Sequence, residues 1–293
     1  MRDRAFLPYR VCHKVRASIQ AYSQVTDMAK MSKLEPKVIQ HHFSKIADRY
    51  RQLRTTDAEP IAFIAKELRE LLYVEAVDIG CGAGGYSLFL CKSLGDKLRL
   101  TCVDANDSML KALDTYLRAH GMGNFIAINA GAESLPFRSG TLDCVLTFNA
   151  VHHFNLLAFL QESARILRHG GYLFIYTRLQ EQNRRNIWGQ HFPEFCCKET
   201  RLYSFNTFLQ TVERVPRLQL QSTEYFEYER TFTLEQLVER ARAHHYSTFF
   251  LYSEQELENA IAVFRRNVEH RYNDVSRVNW SDEHTLFVIR KNT

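Results

Sequence analysis

From residue 72 onward the chain alternates short apolar runs with longer segments whose apolar side chains recur every three or four positions. Short apolar runs bounded by turn residues read as strands, and the three-to-four recurrence reads as helix. Strands are predicted at 72–79, 98–104, 125–129, 142–148 and 172–177. Helices are predicted at 86–94, closed by Gly95, and from Asn106 or Asp107 through Met109, Leu110, Leu113 and Leu117 to Gly121. A further helix carries Leu156, Leu157, Leu160, Ala164 and Leu167 and stops at Gly170-Gly171. Upstream, Val38, Phe43, Ile46, Ala47 and Tyr50 predict a helix over 37–53, and Ile61, Ile64, Leu68, Leu71 and Leu72 a second one after Pro60. Strands alternating with helices predict a parallel sheet with right-handed crossovers, and such sheets bind ligands beyond their carboxyl ends.

Beyond residue 180 the rhythm breaks. Residues 180–216 are rich in Arg, Gln and aromatics. A strand at 224–232, helices at 234–245 and 254–272, and a short strand at 285–289 follow. The stripe Leu257, Ile261, Phe264 and Val268 reads as plain core.

Composition adds three constraints. All twelve glycines fall between 80 and 189, four of them within 80–85, which marks one special turn. Residues 1–30 carry six basic side chains against two acidic ones, and the rest of the chain is near neutral. A nucleic-acid footprint needs a basic face, so the body of the chain argues for a small-molecule partner. The seven cysteines are odd in number and form no C-x-x-C, which fits a reduced compartment rather than a disulfide framework or a zinc site. No run approaches the ~18 apolar residues that span a bilayer, and no apolar signal segment opens the chain, so the expected location is cytoplasmic. Residues 1–30 read as a basic extension, and Met31 opens a segment that resembles the start of a folded protein.

The chemistry centres on Ala76-Val77-Asp78-Ile79-Gly80-Cys81-Gly82-Ala83-Gly84-Gly85, a strand that turns on glycines into a helix. Glycine there allows positive φ and lets a ligand lie on the main chain, and the helix start offers unpaired N–H groups. Gly80, Gly82 and Gly85 satisfy the dinucleotide fingerprint G-x-G-x-x-G, while Gly80, Gly82 and Gly84 satisfy a G-x-G-x-G pattern. Asp78 stands two residues before the first glycine, where a carboxylate suits an ammonium-bearing ligand better than a pyrophosphate. Asp104 ends the next strand, placed to take both hydroxyls of a ribose.

Four segments in order, VDIGCGAGGYS (77–87), LTCVDANDSML (100–110), AGAESLPFRSGTLDCVLTFNAVHHF (130–154) and ILRHGGYLFIYT (166–177), resemble the class I S-adenosylmethionine-dependent methyltransferases, in the branch similar to the ubiquinone/menaquinone biosynthesis methyltransferases. FSKIADRY (43–50) resembles the helix that often precedes this core, and Thr285–Lys291 its final antiparallel strand. The resemblance implies an α/β, doubly wound, mostly parallel seven-stranded Rossmann-like sheet, helices on both faces and an acceptor-side cap after the fifth strand. It divides residues 31–293 into a cofactor core (72–178), a cap (about 180–220) and closing helices and strands (about 221–291). It implies S-adenosyl-L-methionine as cofactor and methyl transfer to a small molecule, with oxygen or carbon as the favoured acceptor atom. Carried over residue by residue, Asp78 and the backbone of Gly80, Cys81, Gly82 and Gly84 hold the methionine end. Asp104 takes the ribose, with Ala105 and Met109 near the adenine and Ala132 and Glu133 on its other edge. Asn149 faces the sulfonium region, and Tyr50 closes over the methyl group. The family often has Gly-Asp-Ala-Glu where this chain has Ala130-Gly131-Ala132-Glu133, so a carboxylate for the adenine amino group is missing.

Other readings stand beside these. His152 or His153 supplies a general base, or one ring simply packs against the sheet. Trp188, His191, Phe192, Arg201 and Tyr203 wall the acceptor pocket, or they fill a cap that touches no substrate. Asp143 reads as structural. The pairs His41-His42 and His244-His245 do not make a metal cluster, because adjacent residues on a helix do not face each other, and Cys196-Cys197, near His191, fits no metal-ligand spacing. An RNA-modifying methyltransferase, an NAD-linked oxidoreductase and a silent cofactor-binding scaffold are the competing functions.

Overall fold

The computed structural model describes residues 43–44 and 46–292. The basic segment 1–30, Met31, His41-His42 and the first part of the 37–53 helix lie outside the described residues. Seven strands form one sheet: β1 (Val74–Ile79), β2 (Leu98–Asp104), β3 (Phe125–Asn129), β4 (Leu142–Phe148), β5 (Leu167–Thr177), β6 (Leu218–Phe232) and β7 (Val278–Lys291). Their order is β3-β2-β1-β4-β5-β7-β6. β1 to β5 are mutually parallel, and β7 runs antiparallel to both β5 and β6.

The helices are α1 (Tyr50–Leu53), α2 (Glu59–Glu67), α3 (Gly85–Leu94), α4 (Asp107–Ala119), α5 (Leu156–Ile166), α6 (Gln180–Arg185), α7 (Ile187–His191), α8 (Phe195–Lys198), α9 (Phe205–Glu213), α10 (Leu234–Arg242) and α11 (Glu254–Arg271). Side chains alternate across the sheet, so each face has its own core. Val145, Leu173 and Ile175 pack on one face with Phe159 and Leu160 of α5 and Phe208 of α9. Cys144, Leu146 and Phe174 pack on the other with Ile61 and Ile64 of α2, Leu88 of α3 and Leu113 of α4. This is the doubly wound arrangement the alternating pattern predicts. Asp143 ties strands together, accepting from the Glu75 N–H (2.9 Å) and from Arg168 (2.7 Å).

A third core lies after β5. Trp188 and Phe192 of α7, Phe195 of α8, Leu237 and Val238 of α10 and Phe264 and Val268 of α11 are buried together. The predicted stripe Leu257, Ile261, Phe264 and Val268 is buried in it throughout.

The structure moves four predicted boundaries. The α2 stripe ends at Leu68, and Leu72 is 84% exposed in the turn before β1. The helix over 156–167 ends at Ile166 rather than at the glycine pair, because Leu167 already pairs with Leu142. Gly170, at φ 72°, sits inside β5 where the register with β4 shifts. β6 and β7 are 15 and 14 residues long, far longer than the predicted 224–232 and 285–289. Of the predicted 37–53 helix, Phe43, Ser44 and Ile46 are helical, Ala47–Arg49 tightens into a 3-10 turn and Tyr50–Leu53 forms short α1. β5 pairs with only 285–290 of β7, so residues 278–284 run on beside β6 past the carboxyl end of β5.

Candidate active site

The glycine turn joins β1 to α3. Gly80, Gly82 and Gly84 have φ of 70°, 53° and 86°, a region that costs any side-chain-bearing residue strain. The turn is tied to the end of β2: the N–H groups of Gly80 and Cys81 donate to Val103 O at 2.8 and 3.1 Å. The Gly82 N–H donates to Asp104 Oδ2, and the Asn106 N–H to Asp104 Oδ1, both at 2.9 Å. Burial outweighs these backbone donors and raises the Asp104 carboxyl above its ordinary range. Asp78 lies behind the turn, 1% exposed. Its Oδ2 accepts from Ser87 at 2.7 Å, while Oδ1 has no partner. Burial, opposed by the Ser87 hydroxyl and reinforced by Asp104, pushes its carboxyl up to about 7.

A cleft of about 1120 Å³, open to solvent, lies beyond the carboxyl ends of β1, β4 and β5. Its floor is Gly80, Cys81, Gly82, Ala83 and Gly85; Tyr50 and the segment to Asp57 form one side, and Phe148, Asn149 and His152 follow β4. A Cβ built on Gly82 would sit 3.6 Å from the Tyr50 ring, inside this space. Asn149 has φ 53°, and its N–H donates to Tyr176 O at 2.7 Å. Strained non-glycine backbone of this kind gathers at functional sites. His152 and His153 stand on a 3-10 turn with ring centroids 4.0 Å apart, and neither Nδ1 has a partner. Burial and, for His152, the guanidinium groups of Arg201, Arg54 and Arg178 hold both imidazoles well below their usual pKa.

The cleft gathers some predicted residues and leaves others out. Tyr50, Gly80, Cys81, Gly82, Asn149 and His152 line it. Asp78, Gly84, Asp104, Met109, Ala132 and His153 are not among its lining residues. Met109 packs with Ile46, Ala47 and Ala83, and Ala132 with Val103 and Leu135, because both side chains complete apolar clusters under the loops. His153 packs edge-on against Phe43 at 5.5 Å. Glu133 accepts from the Asn155 N–H at 2.8 Å, at the start of α5, and Ala105 and Gly131 are exposed. Of the cap residues, Trp188 and Phe192 belong to the third core, His191 packs on Tyr272 (5.9 Å), and Tyr203 donates to Phe154 O (2.9 Å). Arg201 pairs with Glu199, and from the cap segment Asn183, Phe195, Glu199 and Leu202 line the cleft. Among the described residues no group of His, Cys, Asp and Glu is arranged to hold a metal, and no helix is long and apolar enough to cross a membrane.

The residues the sequence did not single out are charged. Arg54, Asp57, Arg178, Arg230, Arg240, Asp282 and His284 all line the cleft. Arg178 and Asp282 form a buried ion pair, side chains 8% and 10% exposed, and Asn186 also donates to Asp282 at 2.7 Å. Arg230 donates to Asp57 at 2.7 Å and lies 3.4 Å from Asp282. Arg240 donates to Leu53 O at 2.7 Å. The Tyr176 ring stacks on His284 at 5.0 Å, and burial with Arg178 nearby pushes that imidazole down to about 3. One signal was present: Arg178 directly follows a strand at its carboxyl end, where such sheets place ligands.

Residues 77–175 match the family model described as a methyltransferase domain. The phthiotriol/phenolphthiotriol dimycocerosates methyltransferase 1 of Mycobacterium ulcerans is 34% identical over 122 residues, 41% of this chain and 42% of that one. The ubiquinone/menaquinone biosynthesis C-methyltransferase UbiE of Enterobacter sp. is 34% identical over 101 residues, 34% of this chain and 40% of that one. The chain thus spans less than half the length of these curated relatives. Among solved structures, the YcgJ protein of Bacillus subtilis superposes with a TM-score of 0.61 at 16% identity, over 81% of this chain and all of that one. A putative methyltransferase of Bacillus halodurans gives 0.58 at 18%, over 82% of this chain and 100% of that one. Residues 77–175 thus match a methyltransferase domain, and the chain shares the fold of these solved structures.

Proposed function

We propose that this chain binds S-adenosylmethionine on the glycine turn and transfers its methyl group to an oxygen or carbon of a small molecule in the same cleft. The observation that carries the reading is the turn itself. Two positive-φ glycines, Gly80 and Gly82, open a backbone surface onto the cleft. When bound, S-adenosylmethionine supplies an electrophilic methyl group. The chain's own work is positioning and water exclusion. Gly82 leaves room for a ligand against Tyr50, and Asp104, fixed by the Gly82 and Asn106 N–H groups, offers carboxylate oxygens beside the turn. His152, kept neutral by burial and nearby arginines, lines the cleft, and its Nδ1 has no hydrogen-bond partner. The near-neutral balance beyond residue 30 supports a small acceptor over a nucleic acid.

The relatives support the same direction: one is named for quinone biosynthesis and one for a lipid-linked methylation. The test is twofold. S-adenosylhomocysteine is expected to raise the melting temperature where NADH does not, and labelled methyl groups are expected to appear in the small-molecule fraction of a metabolite extract. Stabilisation by NADH and not by S-adenosylhomocysteine would overturn the proposal.

A further inference from the structure

We infer that the acceptor is an anion, a small molecule whose carboxylate or phosphate oxygens are bound by Arg54, Arg178 and Arg240. The inference rests on the methyl-transfer reading only for the role of this ligand as acceptor; the anion site itself stands on the geometry below.

The three guanidinium groups share one corner of the cleft. Arg54 Cζ lies 4.7 Å and Arg178 Cζ 5.1 Å from the centre of the Tyr246 ring. Arg240 is anchored to the carbonyl of Leu53, the residue before Arg54. Arg178 shares Asp282 with Arg230, and Arg230 also holds Asp57. Four arginines therefore face two carboxylates. Among the described residues neither Arg54 nor Arg240 is ion-paired with a carboxylate. Glu199 does not correct the balance, because Arg201 neutralises it and Thr248 donates to it at 2.6 Å. The Nε atoms of Arg54 and Arg178 are buried with no hydrogen-bond partner. Buried donors without acceptors are rare in native structures, and a shielded guanidinium fork matches carboxylate and phosphate geometry.

The surroundings are tuned the same way. Burial and the arginine field keep His152, His245 and His284 neutral, so they add no charge at neutral pH. S-adenosylmethionine carries a sulfonium, an ammonium and one carboxylate, a net positive charge. Its binding in the same cleft deepens the cationic surplus, and an anionic second ligand relieves it. The same field favours the ionised form of an acceptor hydroxyl or acid, which lightens the demand on a weakly basic His152.

The experiment is calorimetric titration of benzoate, inorganic phosphate and neutral benzamide into the full chain, alone and saturated with S-adenosylhomocysteine. Benzoate or phosphate is expected to bind at least tenfold more tightly than benzamide, with the gap narrowing as salt rises. Arg240→Gln should erase that gap while shifting S-adenosylhomocysteine affinity less than twofold, and Arg240→Lys should restore part of it, which separates lost charge from lost folding. Equal affinity for benzoate, phosphate and benzamide would overturn the inference, as would a preference that survives Arg240→Gln. So would an Arg240→Gln protein that loses only S-adenosylhomocysteine, because the arginine would then serve the cofactor's own carboxylate. Failure of S-adenosylhomocysteine to bind, with the anion preference intact, would remove the methyl-transfer reading and leave the anion site standing.

Discussion

Gly189 shows how much one residue carries that its neighbours in sequence do not reveal. It lies in α7, pressed against α6, and a Cβ there would overlap the carbonyl oxygen of Asn183. Backbone cannot rotate away as a side chain can, so Gly189→Ala is expected to destabilise the protein by about 1–3 kcal/mol, read as a lower urea midpoint with an unchanged slope. Gly82 is the opposite case: at φ 53°, its near neighbour among the described residues is Tyr50, across open cleft. Gly82→Val, a β-branched side chain in the left-handed region, should abolish S-adenosylhomocysteine binding. Asp104→Ala should abolish it too while the far-ultraviolet spectrum stays native; retained affinity in either variant by calorimetry contradicts the proposed cofactor seat. Both residues were legible in the sequence because a glycine turn and a strand-end acid are local signals. Asp78 was legible as an acid before the turn but not as one facing away, since its direction depends on Ser87 nine residues on.

At the scale of elements, the clearest signals were helix starts. Asn106 caps α4, accepting from the Met109 N–H, and Asn155 caps α5 through Ala158. Ser253 and Thr233 form reciprocal capping boxes with Glu256 and Gln236. Ser253→Ala should cost about 1 kcal/mol of stability in chemical denaturation, with no effect on cofactor binding, because the start of α11 touches no cleft residue named above. Strand ends were harder. Residues 278–284, Val-Asn-Trp-Ser-Asp-Glu-His, lie outside the strand predicted at 285–289, yet they form half of β7. The alternation is there, but only Val278 and Trp280 turn apolar side chains into the third core; the next two inward residues are Asp282 and His284, which face an arginine-lined cleft. Hydrophobic periodicity finds strands that bury hydrocarbon and passes over strands that bury charge.

At the scale of the whole molecule, stability is linked to pH mainly through neutral buried histidines. His152, His153, His191, His244, His245 and His284 all have imidazoles depressed by burial. Each binds its proton more weakly folded than unfolded, so its stabilisation is complete above about pH 6.5 and is lost as pH falls towards the folded value, about 3 for His284. Asp57, Asp78 and Asp104, with raised carboxyls, act in the opposite sense and lose stabilisation as pH rises, up to about 7 for Asp78. Six groups outweigh three, so the melting temperature should fall from pH 7.5 to pH 5; Asp78→Asn should steepen that fall by removing an opposing proton. A melting temperature that is flat or higher at pH 5 would contradict the balance. The sequence by itself determined the five parallel strands, the glycine turn and the order of the cofactor half, because those features are written in runs of adjacent residues. Only the tertiary structure decided the arginine-lined side of the cleft. Arg230 meets Asp57 across 173 residues and Arg240 meets Leu53 across 187. A charge surplus assembled from such distant positions leaves no trace in local pattern, because each arginine, taken alone, reads as a solvated surface residue.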